Sequence, residues 1–243
     1  SPHRWKLNSD NDFEHVQNIY DNNNYYFIHI GDSFGKRVSI SQAEEVENYE
    51  VNFFTERKFH ELEDQNLKNT GRQWFGEYFN FNELHTKTFN FSNRIITESV
   101  RINARAVARS ETSTSLDFVH NGSEILSVPI GPQTSAEIYV DDGEGSNEFT
   151  SIYNTISIGV SYDKNGSSSA FAYLDYIEMQ AKCELKYNGG QLVFSEPSTV
   201  GIGNVTKFNL TSNTNSLIVW DVTDPAAISE LEVDENLSFT SAT

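Results

Sequence analysis

Cysteine is almost absent from this chain: Cys183 is the only one in 243 residues. A single thiol excludes an internal disulfide and any zinc cluster built on cysteines. Such a chain is compatible with an exported bacterial-type β protein that relies on its core instead of on bridges, and equally with a cytosolic one. Proline is scarce at five residues and methionine at one. No apolar run approaches the roughly 20 residues of a spanning helix, so no transmembrane segment is expected. The opening SPHRWKL lacks the apolar stretch of a signal peptide, and targeting information is expected outside these residues. Bases are also few, 17 against 35 acids, for a formal charge of −18. A field of that sign argues against nucleic acid or an anionic bilayer as partner and leaves cations and basic partners open. Six histidines (His3, His15, His29, His60, His85, His120) are scattered. None stands at metal-ligand spacing from another or from Cys183, so zinc is not expected.

What is abundant is aromatic and β-forming. Apolar residues make up only 37%, but 17 Phe and 11 Tyr can each bury a large area. The clearest strand is Phe171–Leu185, FAYLDYIEMQAKCEL, where Ile177, Met179, Ala181, Cys183 and Leu185 alternate with polar residues. Cys183 is thereby predicted on the core face, which disfavours it as a nucleophile, since a reactive thiol needs an exposed, electropositive setting with a histidine in reach. Asp175 is the one carboxylate on that same face by strict alternation, and a buried acid calls for a donor or a cation. Further strands are predicted at 86–91, 98–108, 115–122, 124–130 and 148–162, separated by turn chemistry at Asn121-Gly122, Asp141-Asp142-Gly143 and Asn165-Gly166. Arg101, Arg105 and Arg109 stand four apart, as on a helix, but Val100, Ile102, Ala104, Ala106 and Ala108 alternate, which favours a strand.

This pattern predicts an all-β protein: a galactose-binding-like jelly-roll sandwich over 71–185, inserted in a smaller β-sandwich built from 25–70 and 186–243, with residues 1–24 as a surface arm. Within the flanking part, YYFIHI (25–30) and residues 36–40 read as a hairpin around GDSFG, whose two glycines do not make a phosphate cradle. Residues 41–64 carry eight acids, among them Glu44 and Glu45, against Arg57 and Lys58, a solvated face. Residues 59–68 fit a short helix with Phe59, Leu62 and Leu67 inward. GRQWFGEYF (71–79) packs Trp74, Phe75, Tyr78 and Phe79 around two glycines and predicts a tight corner, or else a sugar-stacking surface.

Three ligand chemistries follow. The acidic stretch DDGEGSNE offers Asp141, Asp142, Glu144 and Glu148, oxygen ligands of the kind that suit calcium, although it lacks the pattern of an EF-hand. Arg101 and Arg105 on one strand face could grip a carboxylate, and Tyr78 and Tyr173 could stack on a sugar. No cofactor is required by any of these residues. Paired carboxylates for a glycosidase mean little without geometry in so acidic a chain.

Three stretches together carry a resemblance: GRQWFGEYF with FNF after it, LDYIEMQAKCEL followed by GGQLVF, and GIGNVTKFNL leading to IVWDVTDP. Over about residues 18–225 the chain resembles the region preceding the catalytic domain in the gingipain-like cysteine peptidase that serves as surface sortase of the type IX secretion system. The resemblance implies an exported protein at the outer-membrane surface or outside the cell, which cleaves sorting signals from cargo. In that family the peptidase domain follows the WDVTDP region, and no matching catalytic Cys–His segment occurs here. The implied role is a noncatalytic module whose partners are the C-terminal peptidase domain of the same protein and secreted cargo, with Trp74, Phe75 and Trp220 as structural anchors. The alternative is a carbohydrate-binding jelly roll of a secreted or cell-surface protein, with a surface glycan as partner.

Overall fold

The computed structural model describes residues 3–9, 12–18, 23, 25–41, 46–67, 73–81, 84–133 and 139–242. Glu44 and Glu45 of the acidic run and Gly71 and Arg72 of the aromatic corner lie outside them. In chain order the strands are β1 (His3–Leu7), β2 (Phe13–Gln17), β3 (Ser39–Ser41), β4 (Tyr49–Val51), β5 (Phe53–Glu61), β6 (Tyr78–Phe79), β7 (His85–Asn90), β8 (Val100–Arg109), β9 (Thr114–His120) and β10 (Ser123–Ile130). They continue as β11 (Asp141–Phe149), β12 (Thr155–Asp163), β13 (Phe171–Glu184), β14 (Lys186–Tyr187), β15 (Val205–Asn209), β16 (Thr211–Ser212), β17 (Val219–Asp221), β18 (Ser229–Leu231) and β19 (Ser238–Ala242). A single 3-10 turn at Pro197–Thr199 is the only helical element among the described residues. The protein is all-β, as composition and alternation predict.

The chain divides into two compact units, residues 1–6, 13–22 and 56–182 in the first and 7–12, 23–55 and 183–243 in the second. The first unit is the jelly-roll sandwich. One of its sheets runs β10-β9-β12-β7, and the other runs β11-β8-β13-β5 with β6 added on β13. Asn-Gly hairpin chemistry sets part of this: Asn121 and Gly122 both adopt positive φ (50° and 79°), the geometry that closes β9 onto β10 in two residues. The core lies between the sheets. Val100, Ile102, Ala104 and Ala106 of β8 and Ile177 and Met179 of β13 are fully buried against Leu116, Phe118, Val128, Ile130, Ile156, Ile158 and Val160 of the opposite sheet. Each large side chain so buried contributes about 1.5–3 kcal/mol. The small residues on β8 and the glycines of β11 let the layers approach. A Cβ on Gly143 would stand 2.3 Å from the carbonyl oxygen of Pro129.

The second unit holds three small sheets, β19-β15-β4, β17-β18-β3 and β14-β16. Its core gathers Phe54, Phe194, Phe208 and Phe239, the last two stacked at 5.5 Å. Glu196 is buried there and satisfied by Ser198 N and Thr55 Oγ1.

Several expected elements differ. Residues 59–67 form no helix: 59–61 extend β5, because β5 pairs with β13 and the sheet ladder outweighs a weak helical period. Residues 56–67 accordingly belong to the first unit and not to the flanking part. Residues 25–30 carry no assigned strand, and only Ser39–Ser41 of the expected hairpin is β. The expected surface arm contains the β1-β2 hairpin. The stretch 148–162 splits into the end of β11 and most of β12.

Candidate functional site

Strand β13 changes phase in its middle. Leu174 pairs with Ala106 and Tyr176 with Arg105, so Asp175 is an extra, bulged residue. On either side of it the inward set shifts from Ala172 and Leu174 to Ile177 and Met179, all fully buried. The bulge therefore corrects the expectation of strict alternation: Phe171, Tyr173 and Asp175 join Tyr176, Glu178 and Gln180 on the outer face. The outward residues of β8, Arg101, Asn103, Arg105, Val107 and Arg109, lie beside them, and those of β11, Asp142, Glu144, Ser146 and Glu148, lie beyond.

The half of this face on the C-terminal side of the bulge is polar. Arg105 donates through Nη1 to Asp175 Oδ2 at 2.6 Å and through Nη2 to Asp142 Oδ2 at 3.2 Å. Burial works against the Arg105 charge, but Asp175 and Asp142 outweigh it and hold its pKa above the usual value. Asp175, only 8% exposed, is pushed up to about 6 by burial, with Arg105 opposing the shift. The Tyr176 hydroxyl donates to Glu144 at 2.9 Å, and burial followed by the Glu144 charge raises the phenol well above its ordinary range. Asn103 bridges Glu178 (3.1 Å) and Glu144 (3.4 Å). One side is closed by β2: Gln180 exchanges two hydrogen bonds with the Phe13 backbone, and His15 N donates to Glu178 Oε1. The His15 ring stacks on Phe59 at 3.7 Å, while Arg57 lies over Phe13 at 4.0 Å. Next to this wall, burial and then the Glu61 charge push Glu63 up to about 7.

The other half is aromatic. Strand β6 pairs Tyr78 with Tyr173, and their rings lie 5.0 Å apart at 41°. Phe171 stands 5.9 Å from Tyr78 and 6.0 Å from Tyr173, and Tyr139 stands 6.4 Å from Phe171 with Arg109 4.8 Å above its ring. Tyr78 is 41% exposed, and Phe171, Tyr139 and Tyr173 are half-buried. The corner around Gly76 supports this cluster. Gly76 N donates to Leu174 O at 2.8 Å, and a Cβ on Gly76 would meet Leu62 Cβ at 2.9 Å, so the backbones approach only because that residue is glycine. Phe75 and Phe79 are buried beneath, whereas Trp74 remains 40% exposed.

The residues singled out in the sequence are thus partly brought together. Tyr78 and Tyr173 meet, and Arg101 and Arg105 share their face. Asp142, Glu144 and Glu148 point outward too, but from a strand and not from the expected loop. Asp141 points the opposite way, into the sandwich, where its carboxylate lies 2.6 Å from the position a Cβ on Gly131 would take. Glu148 accepts from Ser99 Oγ at 2.8 Å. Among the described residues no group of three or more His, Cys, Asp or Glu could hold a metal ion. Cys183 is fully buried. Trp220, expected as an anchor, is 53% exposed on β17. Sequence reasoning missed Tyr139, Phe171, Asn103 and Tyr176. The signal for two of them was present, since the apolar set of FAYLDYIEM moves from even to odd positions across Asp175.

A serine–histidine pair also occurs, Ser151 Oγ to His120 Nε2 at 3.0 Å, but both residues are buried and Ser151 Oγ also accepts from Tyr153 N. Arg94 ties the same loop through the carbonyls of Ser151, Tyr153 and Glu98. The group closes a turn.

No protein-family model matches the sequence, and no curated protein matches it significantly. Among solved structures, dimeric latent PorU from Porphyromonas gingivalis is similar over 98% of this chain and 23% of that one, with a TM-score of 0.77 and 17% identity. At that identity the likeness is one of fold, and this chain spans less than a quarter of the PorU chain. The CBM36-1 domain of a multidomain xylanase from the hindgut metagenome of Trinervitermes trinervoides aligns with 57% of this chain and all of that one, at 12% identity and a TM-score of 0.37.

Proposed function

We propose that this chain is a noncatalytic β-sandwich module of an exported gingipain-like sortase or peptidase, supporting the peptidase domain and helping to recognise cargo. The observation that carries this reading is the likeness in fold to a segment of PorU over 98% of the chain, which agrees with the resemblance carried by GRQWFGEYF, LDYIEMQAKCEL and IVWDVTDP. Burial of Cys183 supports the noncatalytic part, because a thiol enclosed in the core is out of reach of a substrate. On this reading the chain acts outside the cell or at the outer-membrane surface. Two measurements test it. The purified chain is incubated with a peptide carrying a C-terminal sorting signal, and it is passed over an immobilised peptidase domain of the family. The expected result is no cleavage, with Cys183→Ala indistinguishable from the parent, and retention on the peptidase domain. Cleavage abolished by Cys183→Ala would overturn the noncatalytic role, and failure to be retained would remove the supporting one.

A further inference from the structure

We infer that the outer face of the five-stranded sheet binds a neutral oligosaccharide chain, with Tyr78, Phe171 and Tyr173 as its stacking floor. This goes beyond the proposed module role and does not depend on it. Phe171 and Tyr173 stand on β13, an interior strand that at Tyr173 is paired with β8 on one side and β6 on the other, and Tyr78 stands on β6. On β13 recognition therefore runs through side chains. The rings present apolar faces, and the hydroxyls of Tyr78, Tyr139 and Tyr173 make no hydrogen bond to another described residue. Apolar faces edged by unused hydroxyls match the alternation of C–H faces and equatorial hydroxyls on a pyranose.

The polar groups lie where the next sugar would sit. Tyr173 pairs with Val107, and Arg105 is two residues further along β8, a rise of about 7 Å. From there Arg105–Asp142 and Tyr176–Glu144 offer half-exposed donors and acceptors already fixed by one another. Such fixed groups accept hydroxyl hydrogen bonds without an ordering cost for long side chains. Charge selects against acidic glycans: Asp142, Glu144, Asp175 and Glu178 border the face in a chain of net charge −18. Ring geometry selects against flat crystalline polysaccharide. The rings meet at 41°, 50° and 85°, a cupped surface suited to a single chain.

The bulge at Asp175 creates this site. With strict alternation, Phe171 and Tyr173 would point into the core.

Isothermal titration of the intact chain with xylohexaose, cellohexaose, mannohexaose, chitohexaose and soluble dextran tests the inference, with heparin and polygalacturonate as acidic competitors. At least one neutral ligand should bind at millimolar concentration or below. Tyr173→Ala and Tyr78→Ala should each weaken it at least about tenfold. Tyr153→Ala, an exposed ring outside this face, should leave affinity unchanged. Circular dichroism and urea midpoints establish that the variants are folded, and Tyr173→Phe keeps the ring if Tyr173→Ala is not. Silence toward every neutral ligand, preference for the acidic polymers, or binding indifferent to both tyrosine substitutions would overturn the inference. None of these outcomes bears on retention by a peptidase domain.

Discussion

Asp175 makes the protein less stable as it ionises, and the size of that effect can be worked out from its surroundings. The carboxyl is 8% exposed, sits in a bulge, and has one strong partner, Arg105 at 2.6 Å. Burial raises its pKa from 3.8 to about 6 in the folded chain despite that partner. A pKa that is higher folded than unfolded means that the native state binds the proton more tightly. Its stabilising contribution is full below pH 3.8 and is lost as pH rises through about 6. A shift of about two units corresponds to roughly 3 kcal/mol, to order of magnitude. Urea unfolding of the parent chain and of Asp175→Asn at intervals between pH 4 and pH 8 measures this directly. Because Asn cannot titrate, the stability of the parent relative to Asp175→Asn should fall by roughly 2 kcal/mol across that window, most steeply around pH 5. Glu63 shifts in the same direction, with Asp175 the last of its causes, but it is exposed and largely screened, so Asp175 dominates the difference. A difference independent of pH would refute the claim that the bulge desolvates this carboxylate. A difference that rises with pH would mean that Arg105 dominates and the folded pKa lies below 3.8.

Two further outcomes follow from the same geometry. Gly143→Ala places a methyl 2.3 Å from Pro129 O and 2.9 Å from Ile130 Cγ1, so β11 must move off β10; a loss of about 3 kcal/mol is expected in urea unfolding, against less than about 1 for Ser146→Ala on the outer face of the same strand. Calcium should leave the thermal midpoint unchanged, because Asp141 faces away from Asp142, Glu144 and Glu148; a rise of the midpoint with calcium, reversed by chelation, would show that the β11 acids do gather round the ion.

Much of the sandwich was legible because β8, β9, β12 and the C-terminal half of β13 alternate cleanly between apolar and polar residues. Alternation over five or more positions is hard to satisfy by chance, and one buried face enforces it. The misread segments are those where local chemistry and tertiary context disagree. DDGEGSNE has the glycine and acid content of a turn, yet it is a strand because its glycines face inward, where only a missing side chain lets β10 come close. Residues 59–61 have a weak helical period, yet they complete an edge of the sheet. Of the candidate site, Tyr78, Tyr173, Arg101 and Arg105 could be named in advance from residue type, but their neighbours could not. Tyr78 is 95 positions from Tyr173, and no local pattern states that β6 pairs with β13.

The sequence by itself determined the all-β class, the identity of the core positions on β8 and the C-terminal half of β13, the Asn-Gly hairpin and the burial of Cys183, all consequences of short-range periodicity and turn stereochemistry. Only the tertiary structure decided which face carries the rings. One inserted residue at Asp175 reverses the direction of every side chain before it, and the cost of burying that acid is offset only when a distant strand supplies Arg105.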